Sequence, residues 1–188
     1  MTSTQIIKRL EKGNARFVKD KNEGGLQDKD RRKELATGQD PWAIVLSCAD
    51  SRVVPELAFD TGLGELFVLR VAGNVANTST IASIEYAVAH IGSKVLVVLG
   101  HESCGAVTAA VGGGDNGYNL NHLLSHITPA ISACKKGAAV NTVVKKNAEL
   151  TVDALKNRSE IIANAVKKRK LKIVPAYYNL KTGKVDFL

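Results

Sequence analysis

Cys48, Asp50 and Arg52 lie two apart in Ser47-Cys48-Ala49-Asp50-Ser51-Arg52, and His101 and Cys104 lie three apart in Gly100-His101-Glu102-Ser103-Cys104-Gly105. Two sulphurs and an imidazole form a donor set suited to zinc. Brought to one point, three protein ligands leave the fourth tetrahedral position open, which marks a catalytic rather than a structural zinc. Two thiolates neutralise the cation, so a water held by it is a weaker acid than at a three-histidine site, where its pKa is about 7. Asp50 beside such a metal has two courses: it accepts a hydrogen bond from that water, or it binds the metal itself in a closed form. A bidentate pair with Arg52 selects the first by holding the carboxylate away.

The elements that must position these groups are two apolar, β-branched runs, Ala43-Ile44-Val45-Leu46 before the first stretch and Val95-Leu96-Val97-Val98-Leu99 before the second. Such runs read as strands buried on both faces. Both stretches then sit at carboxyl ends of strands in an open α/β sheet, where such sheets build their sites. Neighbouring strands are roughly 5 Å apart, so adjacency of these two would let Cys48, His101 and Cys104 converge. If the chain stays extended past the strand, Cys48, Asp50 and Arg52 project to one side. Cys104 opens a helix, whose free N–H groups favour a thiolate.

Around this pair the pattern predicts a helix over 4–19, capped by Ser3 or Thr4, with Gly13-Asn14 weakening it. Its apolar residues Ile6, Leu10 and Phe17 are expected to cover a partner subunit. A short helix over 30–36 completes an N-terminal helical arm, residues 1–38. Leu66 to Leu69 read as a further strand, and helices are expected over 80–91, 105–111, 120–136 and 142–170. The segments 173–178 and 185–188 flank a turn and read as an edge hairpin. The expected fold is a mostly parallel central sheet flanked by helices, one α/β domain over 1–188.

Each chemical reading has a plainer one beside it. Cys48 and Cys104 are also residues that cores bury as inert thiols, and Asp50–Arg52 is also a simple ion pair. Cys134 lies on an apolar helical face with Ile127 and Ile131 and reads as core. His122 and His126 are four apart on a helix, but no Glu follows the first, so they are read as a helix surface or interface rather than a zinc pair. A Cys–His hydrolase built on Cys48 and His101 leaves Cys104 without a role.

Composition narrows the classes. The 188 residues carry 26 Lys and Arg against 18 Asp and Glu, a net charge of +8, but the cations are scattered and aromatics are only 5%. No stacking platform for nucleic acid results. No apolar run approaches the ~20 residues of a membrane span. Three cysteines make no disulfide framework and suit a reducing compartment, so a cytoplasmic location is expected.

Cys-Ala-Asp-Ser-Arg-Val (48–53) and His-Glu-Ser-Cys-Gly-Ala-Val (101–107) resemble the two zinc motifs of the β-class carbonic anhydrases. Gly13 to Phe17, Gly64 to Arg70 with Ala72 to Asn74, Ser83 to Val88 and Tyr177 to Leu188 are similar to further family segments. The resemblance implies one Zn2+ per chain on Cys48, His101 and Cys104, with Asp50 and Arg52 as the catalytic pair. It implies reversible hydration of CO2 to bicarbonate and a proton by a zinc-bound hydroxide, with Gly105, Val75, Tyr86 and Thr61 at the substrate pocket. It also implies self-association as a dimer or tetramer, with neither nucleic acid nor membrane as partner. Two departures stand out. Val45 occupies a position where some members use Trp, with an Arg and a Tyr matched here by Arg70 and Tyr178, to trap inhibitory bicarbonate. Thr61 replaces a Gln that others use across the dimer. A CS2 or COS hydrolase on the same site, or a non-catalytic zinc or bicarbonate-binding protein, is the alternative.

Overall fold

The computed structural model describes residues 1–188. Its five strands, β1 (Ala43–Ser47), β2 (Leu66–Arg70), β3 (Val95–His101), β4 (Lys172–Tyr178) and β5 (Val185–Phe187), form one sheet in the order β2-β1-β3-β4-β5. The first four run parallel, and β5 returns antiparallel to β4 as the expected edge hairpin. The helices are α1 (Ser3–Phe17), α2 (Lys29–Glu34), α3 (Pro55–Ala58), α4 (Thr78–Tyr86), α5 (Gly105–Gly112), α6 (Tyr118–Ser125), α7 (Thr128–Ser132), α8 (Val140–Arg158) and α9 (Glu160–Lys167).

Every residue of β1 and β3 is buried, as their unbroken apolar runs require, because helices cover both faces. Ile44, Leu46, Leu96 and Val98 face α4, α8 and α9, with Ile84, Val152, Leu155 and Ile162 against them. The alternate residues Ala43, Val45, Val97 and Leu99 face α1. β1 and β3 are neighbours in register, so their carboxyl ends, and the two chemical stretches beyond them, lie side by side.

Several expected elements differ. Thr2 caps α1, in a reciprocal box with Gln5, one or two positions before the expected Ser3 or Thr4. The apolar face of α1 lies on its own chain: Ile6 and Leu10 are sealed against the sheet, and Phe17 meets Tyr178 at 6.5 Å. Burying Ile6 and Leu10 contributes roughly 3–6 kcal/mol to this chain's folding. They are not available as partner surface.

Gly13-Asn14 is a tie rather than a weak point. A Cβ on Gly13 would stand 1.8 Å from the Phe59 carbonyl oxygen, so only glycine admits this approach. Asn14, 5% exposed, donates to the carbonyls of Ala58 (3.0 Å) and Gly183 (2.8 Å) and accepts from the Val185 N–H (2.8 Å). Asn14→Ala strands three backbone groups, each worth about 1–3 kcal/mol when buried and unpaired. The expected loss in urea unfolding is about 3 kcal/mol or more; a loss under about 1 kcal/mol would make the tie dispensable.

The predicted helix over 120–136 is divided into α6 and α7 at His126 and Ile127, and the one over 142–170 is divided at Ser159. The helix over 80–91 forms as expected but starts earlier, at Thr78, and its last turn, Ala87–Ile91, widens to a π-helix before Gly92. No helix is long and apolar enough to cross a membrane.

Candidate metal centre

Cys48 leaves the end of β1, His101 is the last residue of β3, and Cys104 caps α5. Their donor atoms all lie within 4.8 Å of one another, and all three residues are buried. The two sulphurs are 3.9 Å apart, unbonded, against the ~3.8 Å that two sulphurs adopt on a tetrahedral centre at ~2.3 Å.

His101 is fully buried, and its Nε2 has no partner. Its Nδ1 pairs with the Glu102 carbonyl at 2.9 Å, so Nδ1 carries the proton and Nε2 presents a lone pair. An orphaned buried acceptor beside two sulphurs fits a soft or borderline cation. The sulphurs share one proton, which lowers the Cys48 thiol below its ordinary range and raises that of Cys104. Burial works against charge on His101, but the neighbouring Cys48 thiolate outweighs it, and the net shift is upward.

Past Cys48 the chain does not stay extended. A tight turn, with the Val53 N–H on the Asp50 carbonyl (3.1 Å), folds Arg52 back on Asp50. Asp50 Oδ1 accepts from the Arg52 backbone N–H and from Nε, both at 2.9 Å, while Oδ2 accepts from Nη2 at 2.7 Å. The turn therefore makes the pair that alternation was expected to make. The Arg52 guanidinium holds the Asp50 carboxyl far below the usual carboxylate range. Asp50 Oδ2 lies 3.8 Å from His101 Nε2, at the rim of the donor cluster.

Other parts escaped sequence reasoning. Arg70 donates to the Cys48 carbonyl (3.1 Å) and the Asp50 carbonyl (2.6 Å), clamping the strand end. The Gly73 N–H donates to Cys48 Sγ at 3.3 Å, and its carbonyl accepts from Asn147 Nδ2 at 2.9 Å. Ser103, at φ +53, donates its N–H to Asn141 Oδ1 at 2.9 Å. A readable signal existed for one of them: Asn147 interrupts an apolar helical stripe.

Val75 is buried in the apolar cluster around Cys48 and Cys104, and Gly105 follows Cys104 directly. Thr61 and Tyr86 make their contacts with other groups. Thr61 donates to the Glu56 carbonyl (3.2 Å) and lines a cleft of about 800 Å³ with Leu57, Leu63 and Arg70. Tyr86 is exposed and stacks near Phe67 and His90. His122 and His126 face each other edge-on at 5.5 Å on the α6 side, apart from the three donors.

The model of the carbonic anhydrase family matches residues 43–185. The chain is 37% identical to carbonic anhydrase 2 of Mycobacterium tuberculosis over 183 residues, covering 94% of this chain and 88% of that one. It is 38% identical to a carbonic anhydrase of Mycolicibacterium smegmatis, covering 95% and 90%. A tetrameric β-carbonic anhydrase of the ascomycete Sordaria macrospora superposes with a TM-score of 0.75 at 27% identity, over 83% and 84% of the two chains. This chain belongs to the β-class carbonic anhydrase family. The family activity is the reversible hydration of CO2, and the Cys48, His101 and Cys104 group offers it a metal site.

Proposed function

We propose that Cys48, His101 and Cys104 hold one zinc per chain, and that Asp50 and Arg52 are the catalytic pair of a CO2-hydrating enzyme. The carrying observation is the three converging buried donors, with a carboxylate held at their edge by a bidentate guanidinium. Bound there, zinc would supply a Lewis acid that makes water a nucleophile far more readily than free water becomes one. Asp50 accepts that water's hydrogen bond and sets its direction, while Arg52 keeps Asp50 from the donors. Val75, in the apolar cluster around Cys48 and Cys104, and Gly105, which adds no side chain beside Cys104, suit an apolar substrate such as CO2. No second histidine stands at the donors, so buffer takes the proton. One sample decides: metal analysis, stopped-flow CO2 hydration and CS2 or COS hydrolysis. One zinc with CO2 hydration is expected. Zinc with CS2 or COS turnover alone would make it a hydrolase, and zinc with neither would make it a non-catalytic binder.

The pH profile should be simple. With a depressed pKa, Asp50 stays charged from about pH 5 to 9, and the pairing stabilisation is complete above the unfolded carboxyl's pKa of about 3.9. It is lost only as pH falls through the lower folded value, well outside the working range. Val45 is buried among Val97, Leu99 and Tyr178, where an apolar side chain offers no hydrogen bond, so a trapped bicarbonate lacks one of its three expected partners. A hydrogen bond to a charged group contributes about 1.5–3 kcal/mol, so its loss weakens such a trap ten-fold or more. Activity should rise through one ionisation on the alkaline side of neutrality. A steep multi-proton loss near neutral pH, deepened by added bicarbonate, would contradict this.

Self-association as a dimer or tetramer completes the reading, and the tetrameric relative supports it. The half-buried edge strand β2, beside exposed Leu57, Leu63 and Tyr86, is the surface to be covered. Thr61 and Tyr86 then serve a pocket across that boundary. Light scattering at micromolar concentration should give at least twice the 20.1 kDa chain mass; an active monomer would refute it. Free thiols suit a cytoplasmic, reducing setting.

A further inference from the structure

The proposed reaction leaves Asn147 without a task. It lies on α8 in a buried face otherwise made of Val143, Val144, Ala148, Thr151, Val152 and Leu155, and is 2% exposed. A buried amide in such a stripe is costly unless its hydrogen bonds are made. Its Nδ2 donates to the Gly73 carbonyl at 2.9 Å. Gly73 sits at φ +70, and a Cβ there would stand 2.9 Å from Ile127 Cδ1, so the position demands glycine. That left-handed backbone turns one end of the residue to the helix and the other to the donors. The Gly73 N–H reaches Cys48 Sγ at 3.3 Å.

We propose that Asn147 is a positioning residue that acts through Gly73 to hold an N–H···S bond on Cys48 and so limits the charge this sulphur gives to a bound metal. The proposal rests on the reading of Cys48 as a metal ligand. Groups that orient a ligand from behind influence metal affinity as well as rate. An N–H aimed at a thiolate withdraws electron density from it, and a floppy glycine could not keep that aim unaided. Asn147 supplies the rigidity from a five-turn helix packed against β3 and β4.

The test uses the full chain loaded with metal. Asn147→Leu keeps the branched shape and removes the donor. Zinc release to a chromophoric chelator should slow several-fold, because the freed sulphur gives more charge to the cation. In the cobalt-substituted protein the thiolate-to-metal charge-transfer band should move to longer wavelength, because the released sulphur is a better electron donor. Val152→Ala, on the same helix but in the cluster away from the donors, should destabilise the fold without either change. Wild-type release and an unmoved band in Asn147→Leu would overturn the proposal, as would the same two changes in Val152→Ala. If Asn147→Leu does not fold, wild-type protein loaded with cadmium-113 decides, since the Gly73 amide proton should show scalar coupling to the metal through the sulphur. Absence of that coupling overturns the proposal. A wild-type chain that takes up no metal refutes the metal site itself, which is a different and distinguishable failure.

Discussion

Cys48→Ser, Cys104→Ser and His101→Ala should each strip the metal and abolish CO2 hydration together. The three donors are buried and within 4.8 Å of one another, so each supplies a third of the protein's hold on the cation. His101 Nε2 has no other partner in the fold, and the two sulphurs lie against each other, with the Gly73 N–H on Cys48. Metal binding and the chemistry share these atoms, so neither survives the loss of one. Several kcal/mol of transition-state stabilisation, at about 1.36 kcal/mol per factor of ten, gives a fall in kcat/KM of about a thousand-fold or more. Metal analysis and stopped-flow assay on the same preparation measure both quantities. A variant with full zinc and wild-type turnover would remove its residue from the ligand set. Folding separates the cases further, because His101→Ala leaves a cavity at the end of β3 and its thermal stability should drop even without metal.

The centre was legible because its signals are local. Ala43 to Leu46 and Val95 to Leu99 are unbroken apolar runs, which in a parallel sheet mean strands covered on both faces. With the strands identified, the placement of Cys48, His101 and Cys104 at their ends follows from counting residues. What stayed hidden depends on partners distant in sequence. The break at Ser159 leaves the apolar period running from Leu155 to Ile162, since α8 and α9 bury the same face. Ser159 caps α9 through the Ile162 N–H while donating to Glu85, 74 residues away. The face of α1 was misjudged for a related reason. Its pattern shows that Ile6 and Leu10 are buried, but not whether the cover belongs to the same chain. Asn14 and Asn147 look like helix-weakening residues in isolation and act as ties once Gly183 and Gly73 come near. Between Cys48 and Arg52, side-chain alternation predicted the right neighbours by the wrong path, because Asp50 caps a turn with its own carboxylate.

Arg52→Ala should leave the metal bound and the enzyme nearly inactive. Arg52 makes no contact with the three donors; its guanidinium takes both oxygens of Asp50, at 2.9 and 2.7 Å. Asp50 Oδ2 already lies 3.8 Å from His101 Nε2, so a small rotation brings a freed carboxylate onto the point where the three donors converge. Arg70 already points elsewhere, its Nε and Nη2 donating to the backbone carbonyls of Cys48 and Asp50 and not to the Asp50 carboxylate. The carboxylate would then occupy the place of the attacking water, and both its own role and the nucleophile's are lost. A positioned acid–base group contributes about 10²–10⁴-fold, so a fall in kcat of at least a hundred-fold is expected, with zinc content unchanged. Arg52→Lys should recover only part of it, since a single ammonium cannot make the two-point grip. Asp50→Asn tests the same pair from the other side: the amide is a poorer ligand and a poorer acceptor, so activity should fall while the fourth position stays open. The deciding measurement is a crystal structure of Arg52→Ala. A carboxylate on zinc supports the mechanism, whereas water on zinc with Asp50 unmoved, in a variant of wild-type activity, would reduce the pair to an ordinary ion pair at a strand end.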